Sequence, residues 1–226
     1  MSAFGTAMLD QLQQPESNVT FRLSLMRDQG INCPCQDFIH LHHWEEELLR
    51  SSLQESEQPR VLDIGCGIGR HSRFIHTLSP EAAITVVEKD RELRTHVLNA
   101  IPNAVGYEQI TDIPADARFD IALLLGNGLG ICGTENATRE LLQRLHAMLS
   151  KGGCALIESG NFAAGEFYTA YHKIVYKGLI DEPFPWGYAT QPWLERELAA
   201  AGFSIVSSTP SHQNGLFFII HAARID

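Results

Sequence analysis

From Arg60 onward the chain alternates short apolar runs with stretches of helical periodicity, the pattern of parallel strands joined by crossover helices. Strands are predicted at Arg60–Ile64, Ala83–Glu88, Ala104–Ile110, where Gly106 interrupts, and Phe119–Leu125, whose unbroken apolar content suits burial on both faces. Helices are predicted at Arg70–Leu78 and Arg91–Asn99. A longer one runs from Thr134 to Ser150, with Thr134 as N-cap, Leu141, Leu142, Leu145 and Leu149 at helical spacing, and Lys151-Gly152-Gly153 as the stop. A strand at Cys154–Glu158 follows, then a helix opened by Thr190 and Pro192 and closed by Gly202, then strands at Ser204–Ser208 and Leu216–Arg224. The last connection is short enough for a hairpin, so the final strand is expected to be antiparallel.

The expected fold is therefore α/β: a Rossmann-like, mostly parallel seven-stranded sheet with a terminal antiparallel hairpin strand, helices on both faces and an N-terminal helical extension. The extension covers residues 1–55, is richer in Gln, His and Cys, and carries a helix predicted over Asp37–Leu53; residues 56–226 form the main domain. Within it, 161–189 is dense in Phe, Tyr and Trp but lacks clean periodicity and reads as an insertion or lid.

At 226 residues the chain suits one α/β domain with a small appendage. Its formal charge of −10, with only 17 Lys and Arg, argues against nucleic acid as partner, since phosphate contacts draw on basic side chains. No apolar run approaches the roughly 18 residues of a membrane helix, and the first residues lack the basic start and apolar core of a signal peptide; the expectation is a cytoplasmic protein without membrane contact. Five scattered cysteines fit reduced thiols. Cys33-Pro34-Cys35 is too tight for a zinc knuckle and no second pair follows, so despite His40, His42 and His43 no metal site is expected. Cys132 reads as a small apolar filler. The sequence leaves the oligomeric state open.

The chemistry concentrates at Val61-Leu62-Asp63-Ile64-Gly65-Cys66-Gly67-Ile68-Gly69-Arg70. Three glycines at alternate positions between a strand and a helix permit a sharp turn and a close backbone approach to a ligand. A dinucleotide fingerprint would have glycine where Arg70 stands, and Asp63 would repel a pyrophosphate while favouring an ammonium group. Nineteen residues after Gly69, Glu88 ends the second strand, followed by Lys89-Asp90; a carboxylate there can accept hydrogen bonds from both ribose hydroxyls.

VLDIGCGIGR followed by VVEKD resembles motif I and the following acidic motif of Rossmann-fold class I methyltransferases. The resemblance extends through Phe119-Asp120, the helix ending in KGG and the late segment TQPWLERELAAAGF. It implies S-adenosylmethionine as cofactor, with Asp63, Gly65, Gly67 and Gly69 around its methionine part, Glu88 on the ribose, and Cys66 and Lys89 as further cofactor-binding residues. Adenine contacts are expected after the third strand, at Gln109 and Ile110 or at Asp112, and Gly126 and Asn127 occupy the place where cofactor and acceptor meet. The Asn lacks the following Pro-Pro-aromatic of enzymes that methylate exocyclic base amines or glutamine amides.

Methyl transfer is a direct displacement, so alignment and, for a protonated acceptor, a base are what a protein must supply. Candidate bases are His71 beside the glycine turn and His172, with Tyr171 adjacent. The aromatic group of 161–189, including Phe162, Phe167, Tyr168, Phe184 and Trp186, suits a small-molecule acceptor of aromatic or apolar character, a cation–π cover for a sulfonium, or a plain hydrophobic lid. Two other functions use the same turn: a nicotinamide-dependent oxidoreductase, against which Asp63 and Arg70 count, and a regulatory protein that binds the cofactor without transferring anything.

Overall fold

The computed structural model describes residues 1–25, 30–53, 58–162, 165–211 and 216–225. The chain opens with α1 (Ala3–Gln13), β1 (Thr20–Leu25), β2 (Gly30–Pro34), α2 (Gln36–Ile39) and α3 (His43–Ser52). Then come β3 (Arg60–Ile64), α4 (Arg70–Leu78), β4 (Ala83–Val87), α5 (Arg91–Ala100), β5 (Val105–Tyr107), β6 (Phe119–Leu124), α6 (Glu135–Met148) and β7 (Leu149–Gly160). It closes with β8 (Phe167–Tyr176), β9 (Leu179–Ile180), β10 (Phe184–Ala189), α7 (Gln191–Ala200), β11 (Phe203–Pro210) and β12 (Phe217–Arg224).

Seven strands form a mixed sheet in the order β11-β12-β7-β6-β3-β4-β5. β3 runs parallel to β6, β6 to β7 and β4 to β5, while β12 is antiparallel to both β7 and β11. This is the expected α/β fold with its terminal antiparallel hairpin. A second sheet, unforeseen from the sequence, has the order β10-β8-β1-β2, with β9 paired to β8.

Several boundaries differ from expectation for local reasons. The helix expected over Asp37–Leu53 is broken at His40, whose backbone is extended, and restarts when Glu45 reaches back to accept from the His42 N–H at 2.7 Å. The C-terminal part of 161–189 is regular after all: β8, β9 and β10 fill most of it. In β8 the buried positions Ala170, His172, Ile174 and Tyr176 alternate with more exposed Tyr171, Lys173 and Val175, so inward and outward sets share hydropathy and the period of two is invisible in the sequence. Lys151-Gly152-Gly153 lies inside β7, not at a helix stop; α6 ends at Met148 because Leu149 is extended. Thr134 caps α6 as expected, accepting from Ala137 N–H, whereas the Thr190 hydroxyl donates to the Glu166 carbonyl at 3.1 Å.

By compactness the chain divides into two units. The first comprises Met1–Gln58, Gly65–Asp112 and Tyr171–Phe184. Its apolar cluster joins Ala3, Ala7 and Met8 of α1 and Phe21 of β1 to Ile68, Leu93, Ile174 and Tyr176, with an edge-to-face contact between Phe4 and Phe21. The second comprises Pro59–Ile64, Ile113–Ala170 and Pro185–Asp226. There β6 is buried almost throughout, and Arg60 grips Asp120 through its backbone N–H and guanidinium.

Candidate functional site

In the first unit, Gly65, Gly67 and Gly69 all adopt left-handed φ angles of +70°, +56° and +74°. The Gly65 and Cys66 N–H groups bond the Val87 carbonyl, fastening the turn to the end of β4. Gly69 is required by packing: a Cβ there would lie 2.8 Å from Val97 of α5. Gly67 is different, because a Cβ there would meet nothing within 4 Å. Its bare backbone faces open space, and that is where a ligand's close approach would need glycine.

Glu88 follows β4 directly. Its Oε2 accepts from the Gly67 N–H at 2.9 Å and its Oε1 from the Asp90 N–H at 2.8 Å, so the carboxylate is held beside the turn. A carboxylate has about four acceptor positions, and the two left over suit a pair of hydroxyls. Burial pushes the Glu88 carboxyl above its ordinary value, against the lowering effect of its backbone hydrogen bonds. Asp90 in turn caps α5 by accepting from the Glu92 and Leu93 N–H groups. Lys89 is exposed, and Asp63, two residues before the turn, is buried.

The third strand of the sequence reading shortens to β5, and a single 3₁₀ turn, Ile110–Asp112, follows. Asp112 closes it by accepting from the Gln109 N–H at 3.0 Å. Gln109 is exposed and Ile110 half-buried.

In the second unit, Gly126 and Asn127 are consecutive left-handed residues, φ +67° and +57°, leading into a 3₁₀ helix at Gly128–Cys132. The Asn127 N–H donates to Oε2 of Glu158 at 2.9 Å, and the Asn127 Oδ1 is buried without a hydrogen-bond partner. Glu158 is itself buried on β7, and an acid inside the apolar run Ala155-Leu156-Ile157-Glu158-Ser159 is the signal the sequence carries for it. The loop's remaining glycines serve packing. The indole of Trp186 lies directly on Gly130, and Pro185 lies 2.8 Å from where a Gly133 side chain would begin. The Cys132 thiol is pushed up to about 11 by burial, and that of Cys35 likewise.

The three candidate bases sit in different surroundings. His71 is buried with Nε2 2.8 Å from Oε1 of Glu45, in a cluster with Arg70. His172 is buried on β8, and burial lowers its pKa, so it stays neutral at pH 7. Tyr171 is exposed, on the opposite side of that strand. Of the aromatic group, Phe162, Tyr168 and Tyr188 form one cluster, with Phe162 edge-on to Tyr188 at 4.9 Å and to Phe217 at 4.8 Å; Phe162 and Tyr168 are about half exposed.

A glycine turn after a strand, an acid ending the next strand and a seven-stranded sheet with an antiparallel edge hairpin together define the class I, Rossmann-like methyltransferase fold. Residues 61–153, less than half of the chain, match the model of a methyltransferase domain; S-adenosylmethionine is the cofactor that goes with that class of domain. Among solved structures, the chain is similar to a SAM-dependent methyltransferase from Bacteroides fragilis in complex with S-adenosyl-L-homocysteine, at 18% identity and TM-score 0.80, covering 99% of this chain and 95% of that one. It is also similar to the 1,6-didemethyltoxoflavin-N1-methyltransferase of Burkholderia thailandensis, at 22% identity and TM-score 0.60, over 81% and 78% of the two chains. A sugar N-methyltransferase from a Streptoalloteichus species matches at 14% identity and TM-score 0.59, over 81% and 86%. No curated protein matches by sequence. Among the described residues no helix is long and apolar enough to cross a membrane.

Proposed function

We propose that this protein transfers the methyl group of S-adenosylmethionine to a small-molecule acceptor. The observation that carries the reading is the open space over Gly67, flanked by the Glu88 carboxylate that its own N–H helps to orient. Bound there, the cofactor supplies an electrophilic methyl carbon on a sulfonium. Gly65, Cys66, Gly67 and Gly69 offer backbone to its amino-acid part, Glu88 accepts from its ribose hydroxyls beside Lys89, and Gln109 with Ile110 flanks its adenine. The family resemblance adds Asp63, Gly126 and Asn127 as candidate cofactor-binding residues, and within its own unit Asn127 offers a buried side-chain oxygen as an acceptor.

For the base we favour His172 over His71. Burial lowers the pKa of His172, while Nε2 of His71 lies 2.8 Å from Oε1 of Glu45. Tyr171 then lies on the wrong side of β8 to share that task. A small, aromatic or apolar acceptor fits the charge of −10 and the half-exposed rings of Phe162 and Tyr168, and two of the similar proteins are named for small molecules, 1,6-didemethyltoxoflavin and a sugar. The five free cysteines suit a cytoplasmic setting.

Isothermal titration with S-adenosylmethionine and S-adenosylhomocysteine is the first test. Wild type binds both, and Asp63→Ala and Glu88→Ala each weaken binding without unfolding the protein. No binding by wild type ends the reading. Transfer of labelled methyl groups to small molecules of a cell extract, and not to its nucleic acid, then tests the acceptor class.

A further inference from the structure

Arg70 occupies the place where a dinucleotide fingerprint has its third glycine, and the structure gives it a task of its own. Its Nη1 donates to the carbonyls of Asp37 and His40, both at 2.9 Å, and its Nη2 to Oε1 of Glu45 at 2.6 Å. The same Glu45 oxygen takes the His71 ring nitrogen at 2.8 Å, while Oε2 holds the His42 N–H. The Arg70 side chain is 9% exposed and the Glu45 side chain 0%. Burial works against the charged carboxylate, yet the hydrogen bond from His71 and the charges of His71 and Arg70 keep Glu45 below its ordinary value. One residue past the glycine turn, a planar fork thus closes the end of α2, the break after it and the first turn of α3 onto α4.

Two further ties join the first 58 residues to the same elements. Ile68, inside the turn and 1% exposed, belongs to the apolar cluster built by α1 and β1. Ser2, the N-cap of α1, donates through its backbone N–H and hydroxyl to Asp90, whose own N–H holds Glu88. The N-terminal segment therefore grips the turn on its buried side, at its exit and at the acid that follows it.

We propose that Arg70 and Glu45 are positioning residues that make docking of residues 36–52 and ligand binding at the glycine turn one coupled equilibrium. The N-terminal segment is then a working part of the cofactor site, not an appendage beside it. Coupling is reciprocal: whatever the docked segment adds to affinity, a bound ligand returns as protection of the segment. This rests on the cofactor reading above.

The test is hydrogen exchange of the full chain, with and without saturating S-adenosylhomocysteine, together with titration of that compound into wild type, Arg70→Lys and Glu45→Gln. Lysine keeps the charge but has a single nitrogen in place of the planar fork whose Nη1 reaches the two carbonyls and whose Nη2 reaches the carboxylate. In wild type, exchange slows in 36–52 as well as in 65–70. In either variant the affinity falls by about tenfold, roughly the value of one charged hydrogen bond, and the slowing in 36–52 is lost while that in 65–70 persists. A melting profile distinguishes this from general unfolding; should both variants fail to fold, the wild-type exchange alone decides. Tight binding with unchanged exchange in 36–52 overturns the coupling and leaves the cofactor reading intact. Absence of any binding by wild type overturns both.

Discussion

Two glycine-rich loops follow parallel strands in this protein, and they put the same residue type to opposite uses. In 65–69, Gly67 bares its backbone to open space; in 126–133, the position of a Gly130 side chain is taken by the ring of Trp186 and that of Gly133 by Pro185. One loop leaves the space over Gly67 open; the other gives its space to the chain's own β10. A glycine pattern thus announces close approach without saying by what.

The comparison breaks most visibly at Glu88. If the first loop is a ligand cradle, Glu88→Ala removes two charge-assisted hydrogen bonds and weakens S-adenosylmethionine binding by about 3 kcal/mol, on the order of a hundredfold. Titration calorimetry reads this directly, and a loss smaller than about threefold would mean that the ribose lies elsewhere. The mirror experiment is Gly130→Ala. A methyl group there overlaps Trp186, so unfolding should become easier by about 2 kcal/mol, the usual range for overpacking. Calorimetric melting should fall by several degrees while affinity for the cofactor in the folded fraction changes little.

Gly67→Ala sharpens the contrast at smaller scale. With no atom in the way, only the left-handed φ of +56° opposes the methyl group, at about 1 kcal/mol of stability. Affinity nevertheless falls by about tenfold if ligand backbone contact is close at this point, a split between melting and binding opposite to that of Gly130→Ala.

Much of this was legible beforehand because it depends on local rules. Period and turn chemistry gave the strands β3, β4, β6 and β12, and the alternate glycines with Glu88 gave the turn. What escaped depends on partners distant in sequence. β8 hides its alternation because His172 points inward and Tyr171 outward. Trp186 could be seen as aromatic but not as the occupant of Gly130, and Glu45 as one acid of Glu45-Glu46-Glu47 gave no sign that it is the fully buried one. Arg70 read only as a missing glycine, since its three acceptors lie 25 to 33 positions away.

The smallest effect separates two acids of the first unit, Glu45 and Glu88, by the direction of their shifts. Glu45 titrates below its ordinary value, so its contribution to stability is present above the unfolded value and is lost as acid brings the pH down through the lower, folded one. Glu88 titrates above its ordinary value, so in the free protein its contribution is present below the unfolded value and declines as pH rises through the folded one. Binding to ribose hydroxyls favours the Glu88 carboxylate, and the cofactor must therefore draw a proton off it when the pH lies below that raised value. As the pH rises through that raised value, affinity should rise in wild type and stay flat in Glu88→Gln, which keeps an acceptor but has no proton to lose. Equal pH dependence in the two proteins would place the titrating group elsewhere and remove Glu88 from the cradle that sets this loop apart from the one beneath Trp186.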